Sequence, residues 1–540
     1  MLNSKEKSIF FLTFFDYYSY SVQIMNKTTY KILDCTIRDG GYYTDWNFTD
    51  EFVDEYLAAC SNSPISIVEL GYISNSIDTN GPFYHLEKNL LKKAKKKLGS
   101  NRKIFAMINF KEIKTNSDLI KLLDDKVGLI DGVRFAVSPK NLKKFSKIIS
   151  KVAPKFKKIS FNLNLMYLSE WFDKPKIIKS IFNNISNKVN RVAFVDSYGA
   201  LTPDAISLFM KKINLHYKNK FEYGCHFHNN CGLALANSIV ANKNGCKIID
   251  TTFTGMGRGA GNAETELLMS INSQSRKKIK GFELNNFLER LDKLKSEMKW
   301  GSSFPYAFAA TNGYSQSDMM DLIQKRRLDP STAIQVISRK KNNEKIIFLN
   351  SNKTKILKNL KKSSPILIGG AKSFLSQGSQ ILKALNKHSP ILFSGSSAFN
   401  NFLELKIKIK NPKYLILTGS EIKKIKVKLS KKIFKQSSLN GIIAEEIFLP
   451  KYLKSVCRDI IVSDSVAENP LMLIGKLLIK SKVKNMRLAF FDGDMATKRD
   501  RIVFDETQQS ISKLIKQKLN ITTITKSAFD LTFQNPWVND

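Results

Sequence analysis

The sequence predicts an α/β protein: an N-terminal (β/α)8 barrel with a helical appendage, then a C-terminal Rossmann-like α/β domain. Three observations predict it. Eight short runs rich in Val, Ile and Phe alternate with helical stretches between Tyr30 and about Gly255. Polar residues cluster where these runs end. A second alternation of strand-like and helical segments begins near residue 364, after a polar, Lys-rich stretch.

The eight runs are Lys31–Asp34, Ser66–Leu70, Ile104–Asn109, Gly132–Val137, Ile159–Leu165, Arg191–Asp196, Glu222–His228 and Ile248–Thr254. Short β-branched and aromatic runs separated by helices indicate parallel strands in βα units. Eight such units in roughly 250 residues fit a TIM barrel, where all strand ends meet at one mouth. A doubly wound open sheet is the alternative, normally with fewer strands.

That convergence nominates a site. Arg38 and Asp39 follow the first strand, Glu69 closes the second, Arg134 lies on the fourth, and Asp196 ends the sixth. His226 and His228 end the seventh, followed by Asn229. The eighth leads into Gly255–Asn262, where four glycines allow the backbone to approach a ligand closely. In a strand, residues i and i+2 share a face, so His226 and His228 can grip one ion. With Asp39 they form a two-His-one-carboxylate set suited to a divalent metal.

Beyond the barrel, Leu291–Trp300, Gln316–Lys325 and Ser331–Lys340 read as helices of an appendage over 286–350. Residues 360–540 read as a separate domain with strands at Ile366–Ile368, Ile391–Ser394, Tyr414–Thr418, Ile460–Val462 and Arg487–Phe491. Gly369, Gly370 and Ser373 could cradle the phosphate of a nucleotide or nucleotide-sugar at a helix start. They match neither standard phosphate-loop pattern, and a tight strand-to-helix turn is the competing reading.

Composition narrows the class. The formal charge is +40 over 540 residues. Lys is spread along the chain and outnumbers Arg, which indicates solvated helix faces rather than a nucleic-acid stripe. No apolar run reaches the ~20 residues that span a bilayer. The six cysteines form no CxxC pair, which suits a reducing, cytoplasmic compartment. Lys5, Lys7 and Ile9–Phe15 imitate a signal peptide, but Asp16 cuts the run short and no cleavage site follows. Residues 1–25 therefore read as an extension, either disordered or upstream of a true start at Met25.

Three motifs now combine: Asp34-Cys35-Thr36-Ile37-Arg38-Asp39-Gly40-Gly41-Tyr42, His226-Phe227-His228-Asn229, and the Gly255–Ala263 loop. Together they resemble the DRE-TIM metallolyase superfamily, the HMG-CoA lyase-like group. Gly40 in the third place of the first motif is similar to its 4-hydroxy-2-oxovalerate aldolase branch. The resemblance implies Asp39, His226 and His228 as ligands of a divalent metal, manganese or magnesium foremost, zinc or cobalt otherwise. It implies Arg38 as the group that stabilises an enolate, and Asn262 as a ligand or near neighbour of the metal. Glu69, Arg134, Asp196 and Asn229 then sit behind the ligands or on the substrate. Tyr42 stands where that aldolase has its catalytic histidine, so the base is Tyr42, a metal-bound water or another group.

The implied activity is that of a metal-dependent aldolase. It cleaves or forms a C–C bond next to a 2-oxo acid such as pyruvate, through a metal-stabilised enolate, with an aldehyde as partner. A Claisen-type acyl transferase or lyase using a CoA thioester is the alternative. The Arg-Asp-Gly variant and the lack of a recognisable CoA-binding segment disfavour it. A non-catalytic basic binding protein is the third reading. A homo-oligomer is compatible with all three.

Overall fold

The computed structural model describes residues 30–76, 80–271, 281–325, 328–338, 346–349, 353–419, 429–457, 459–464, 469–496 and 498–537. The expectation for residues 1–25 lies outside them. The chain forms two compact units, Met1–Lys325 and Arg326–Asp540.

In the first unit, strands β1 (Lys31–Asp34), β2 (Ile65–Tyr72), β3 (Lys103–Ile108) and β4 (Gly132–Val137) are followed by β5 (Ser160–Leu165), β6 (Arg191–Asp196), β7 (Glu222–Phe227) and β8 (Ile248–Thr251). All pair in parallel, each with the next, and β8 closes on β1. Alternation along the strands builds two layers. Leu33, Cys35, Ile67, Phe105 and Ile248 fill the barrel. Ile32, Val68 and Ile104 point the other way, into the layer under the helices. Asp34 belongs to that outer layer. It accepts hydrogen bonds from Tyr56 Oη (2.7 Å) and Thr265 Oγ1 (2.6 Å), tying the helices Asp50–Ser61 and Thr265–Ile271 to β1.

The expected appendage is divided. The helix Gly281–Met298 packs against the barrel, with the Phe287 ring 5.3 Å from that of Phe52 and 5.4 Å from that of Phe253. The helix Pro330–Ser338 falls instead in the second unit, as does β9 (Ile346–Leu349). The polar stretch around residue 350 is therefore not the boundary between units.

The second unit is a sheet of β9, β10 (Ile366–Ile368), β11 (Ile391–Ser394), β12 (Lys413–Leu417), β13 (Gly441–Glu445), β14 (Ile460–Ser463), β15 (Asn485–Ala489) and β16 (Asn520–Thr523). Its order is β16-β15-β10-β11-β12-β13-β14-β9, and every pairing is parallel except β9 with β14. The chain winds from β10 out to β14, then returns to the far side of β10 at β15. Helices Ser373–Ala384 and Gly395–Glu404 cover one face through Phe374, Phe399 and Phe402. Helices Pro470–Lys480 and Lys498–Lys516 cover the other through Ile474, Leu478, Ile511 and Leu514. This is a doubly wound sheet, as expected, with three strands more than its sequence pattern indicates. No helix among the described residues is long and apolar enough to cross a membrane.

Candidate active site at the barrel mouth

The first motif forms a helix. Thr36–Thr44 begins directly after β1, and its first turn carries Arg38 and Asp39 into the mouth, where both are buried. The two glycines that follow are set by packing. A Cβ on Gly40 would lie 2.7 Å from Met256 Sδ, and one on Gly41 2.2 Å from the Trp46 indole. Trp46 then donates its Nε1–H to the Arg38 carbonyl at 2.8 Å and fixes the turn.

A chain of buried charges crosses the mouth. Arg38 binds Asp39, and its Nε donates to Glu69 at 2.7 Å. Arg134 reaches Glu69 at 3.2 Å, Asp250, and Asn164 at 3.0 Å. Asp250 in turn meets His226 Nδ1 at 3.2 Å, and His226 Nε2 stands 3.5 Å from Asp39. Asn262 donates to Asp39 at 2.7 Å. Burial alone would raise the Asp39 carboxyl. Arg38, the two histidines and Asn262 outweigh it and hold it below the usual carboxylate range. Burial, His226 and Arg258 push His228 well below the usual imidazole range, leaving it neutral, the form that binds metals.

Asp39, His226 and Cys35 present ligand atoms within 4.8 Å of one another. The His228 ring is centred 5.1 Å from that of His226, at 81° to it. Two observations test whether a divalent cation fits. Asn262 Oδ1 is buried without a partner among the described residues, beside Asp39. The network also holds three carboxylates against two guanidiniums, so it lacks positive charge. A divalent cation with a singly charged oxo acid brings that sum to neutrality. The residues fit such an ion.

Other expected residues take different places. Arg134 is fully engaged by Asn164, Glu69 and Asp250, so it is a strut rather than a substrate group. Asp196 accepts from the Leu201 amide at 2.9 Å and shapes its own loop. Asn229 caps the next helix through the Ala234 amide at 3.1 Å, while its own N–H holds the Gly261 carbonyl at 2.8 Å. Tyr42 Oη lies 3.4 Å from Tyr72 Oη, and Arg258 stands 5.3 Å from the Tyr42 ring centroid. In the second unit, Gly369 and Gly370 are explained by close approach. A Cβ at either would lie 2.1 Å from Phe490 O or 2.5 Å from Ser397 Cβ. Ser373 donates to Asp492 at 2.7 Å, so its hydroxyl is already engaged by a carboxylate.

Sequence reasoning missed Cys35, Trp46 and Asp250. The one available signal was Asp250, an acid inside an apolar strand. It orients His226 from behind, as carboxylates do behind metal-bound histidines. Asp250→Asn is expected to weaken divalent-ion affinity about 10–100-fold with the fold retained. Metal titration with circular dichroism as a control checks this.

An eight-stranded parallel barrel with this buried acid–imidazole–guanidinium centre at its strand ends is the frame of a metal-dependent lyase. The comparisons agree. Residues 135–290 match the HMGL-like family model. Oxaloacetate decarboxylase from Mycobacterium tuberculosis is 24% identical over 242 residues, covering 44% of this chain and 68% of that protein. A 4-hydroxy-2-oxovalerate aldolase from Carboxydothermus hydrogenoformans is 25% identical over 255 residues, covering 45% and 70%. A crystal structure of the N-terminal domain of a presumed aldolase from Bacteroides vulgatus is 34% identical with a TM-score of 0.48, covering 54% of this chain and 96% of that one. Residues 135–290 thus carry an HMGL-like domain, and the relatives fit the DRE-TIM metallolyase superfamily, whose members are divalent-metal-dependent lyases.

Proposed function

We propose that the protein is an aldolase that cleaves or forms the C–C bond next to a 2-oxo acid, with pyruvate as the oxo-acid fragment. Asp39, His226 and His228 would hold the metal, manganese or magnesium foremost given the oxygen and nitrogen donors. When bound, the cation supplies Lewis-acid polarisation of the keto group.

The observation that carries the reading is on Arg38. Its Nε is taken by Glu69 and its Nη1 by Asp39, while Nη2 is buried with no partner among the described residues. Burial alone would weaken this cation, but Asp39 and Glu69 hold its proton all the more firmly. A fixed donor with one unsatisfied nitrogen stabilises an oxygen that gains charge in the transition state. In cleavage the bonding pair stays on the oxo-acid fragment as an enolate, the aldehyde leaves, and the aldol hydroxyl proton passes to a base. Tyr42 Oη, as a phenolate that accepts the Tyr72 Oη–H hydrogen bond, takes that proton and returns it in condensation. Asn262 and Asp250 keep the carboxylate and imidazole oriented throughout.

The test needs no knowledge of the aldehyde. Pyruvate in D2O is expected to exchange its methyl protons in the presence of the enzyme and manganese or magnesium, followed by proton NMR. Absence of metal-dependent exchange from pyruvate and other 2-oxo acids sinks the proposal. A CoA-thioester lyase would instead show activity only with acyl-CoA.

A further inference from the structure

The mouth opens into a cleft of about 1140 Å³ lined from the loops after seven of the strands. Pyruvate with a two- or three-carbon aldehyde would fill a small part of it; pockets of roughly 300–1,000 Å³ take ligands of drug size. The walls are aromatic. Trp46 lies against Tyr42, Tyr72 and Tyr84 with ring centroids 5.0, 5.6 and 4.8 Å away. Across the cleft Tyr167 and Tyr198 are 6.0 Å apart, and Tyr198 is held by Glu170 at 3.1 Å. Tyr167 adopts a left-handed backbone (φ 62°), a conformation a tyrosine keeps only where its surroundings impose it.

Three residues of the lining carry a buried polar atom whose hydrogen bond is unmade. Ser138 Oγ, Ser169 Oγ and Arg258 Nε are shielded from bulk water and have no partner among the described residues. Asn109 and Asn141 add amides to the same lining. Lys111, Lys140, Lys174 and Arg258 supply four cations against the carboxylates of Glu170 and Asp173. Such a cleft favours a compact ligand with hydroxyls on several sides, flat faces for the rings and a negative charge. A long, thin CoA arm would leave the unpartnered hydroxyls empty, and leaving buried donors unmade is costly.

Resting on the aldolase reading, we propose that this cleft binds the aldehyde partner, and that the partner is a polyhydroxylated, anionic aldehyde of sugar size. Ser138, Ser169 and Arg258 take its hydroxyls, and Lys140 and Lys111 take its phosphate or carboxylate. A site built to hydrogen-bond hydroxyls rejects an analogue without them by up to ~10⁴-fold.

The test is condensation with pyruvate by the metal-loaded enzyme, comparing erythrose 4-phosphate, glucuronate, propanal and acetyl-CoA. The sugar aldehydes are expected to show kcat/KM about 100-fold or more above propanal. Ser138→Ala and Lys140→Ala are expected to raise KM for the favoured sugar about tenfold and for propanal much less. The preference between phosphate and carboxylate identifies the anionic group. Equal or better use of propanal or acetyl-CoA overturns the proposal, as does an equal rise in KM for sugar and propanal. If pyruvate exchange is absent, the aldolase reading has failed, and calorimetric titration with both sugars then decides the cleft alone. Binding weakened by Lys140→Ala sustains it; no binding of either sugar to wild type ends it.

Discussion

His226→Ala is expected to strip the protein of its divalent ion. Elemental analysis of the wild type should find about one ion per chain, and the variant close to none. The effect should be larger than that of Asp250→Asn, because a donor is lost rather than an orienting partner. His226 also meets Asp39 and Asp250, so its removal leaves carboxylates facing one another in a dry site. The variant should therefore unfold at lower temperature even without metal. A His226→Ala protein that binds manganese, magnesium, zinc and cobalt as the wild type does would remove His226 from the proposed ligand set.

The second large effect falls on Arg38. Arg38→Ala should keep the ion yet lose about 10²–10³-fold in the rate of pyruvate proton exchange, the scale of one lost oxyanion donor. Part of any loss of stability will come from Glu69, left with Arg134 as its one cationic partner among the described residues, so thermal denaturation must accompany the kinetics. Arg38→Lys should recover little. A lysine cannot engage Asp39 and Glu69 and still present a third nitrogen. Full exchange activity in Arg38→Ala would place the enolate-stabilising charge elsewhere.

The barrel was legible because its signals are local and periodic. Each strand is a short β-branched run, and eight such runs in order leave few topologies. Three sheet strands of the second unit were not legible. β13 is a brief Gly-Ile-Ile-Ala run before two glutamates, β16 is rich in threonine, and β9 stands in a stretch whose composition is that of a linker. Of the site, Asp39, His226 and His228 were named from strand-end position and spacing and Asn262 from the family resemblance, and the structure gathers them in one buried centre. The roles of Arg134 and Asp196 were left open between supporting the ligands and meeting the substrate, for a physical reason. A strand-end position brings a polar group to the mouth, but only the three-dimensional partners tell whether it is free. Arg134 is spent on two carboxylates and an amide, which puts it behind the ligands, while Asp196 gives one oxygen to its own loop and keeps the other without a partner among the described residues. Cys35 was hidden because a thiol inside an apolar run looks like packing.

The antiparallel pairing of β9 with β14 bears on how the two halves can be studied apart. β9 precedes the rest of its sheet and covers the outer edge of β14 from Ile460↔Leu349 to Ser463↔Ile346. A fragment begun at residue 355 would omit it and bare a row of backbone donors and acceptors. Such an edge recruits any extended chain within reach, its own copies first. Dimers or aggregates of that fragment would then be an artefact of the cut and would say nothing about assembly of the intact enzyme. The natural place to divide the molecule is ahead of β9, near the junction at Lys325 and Arg326.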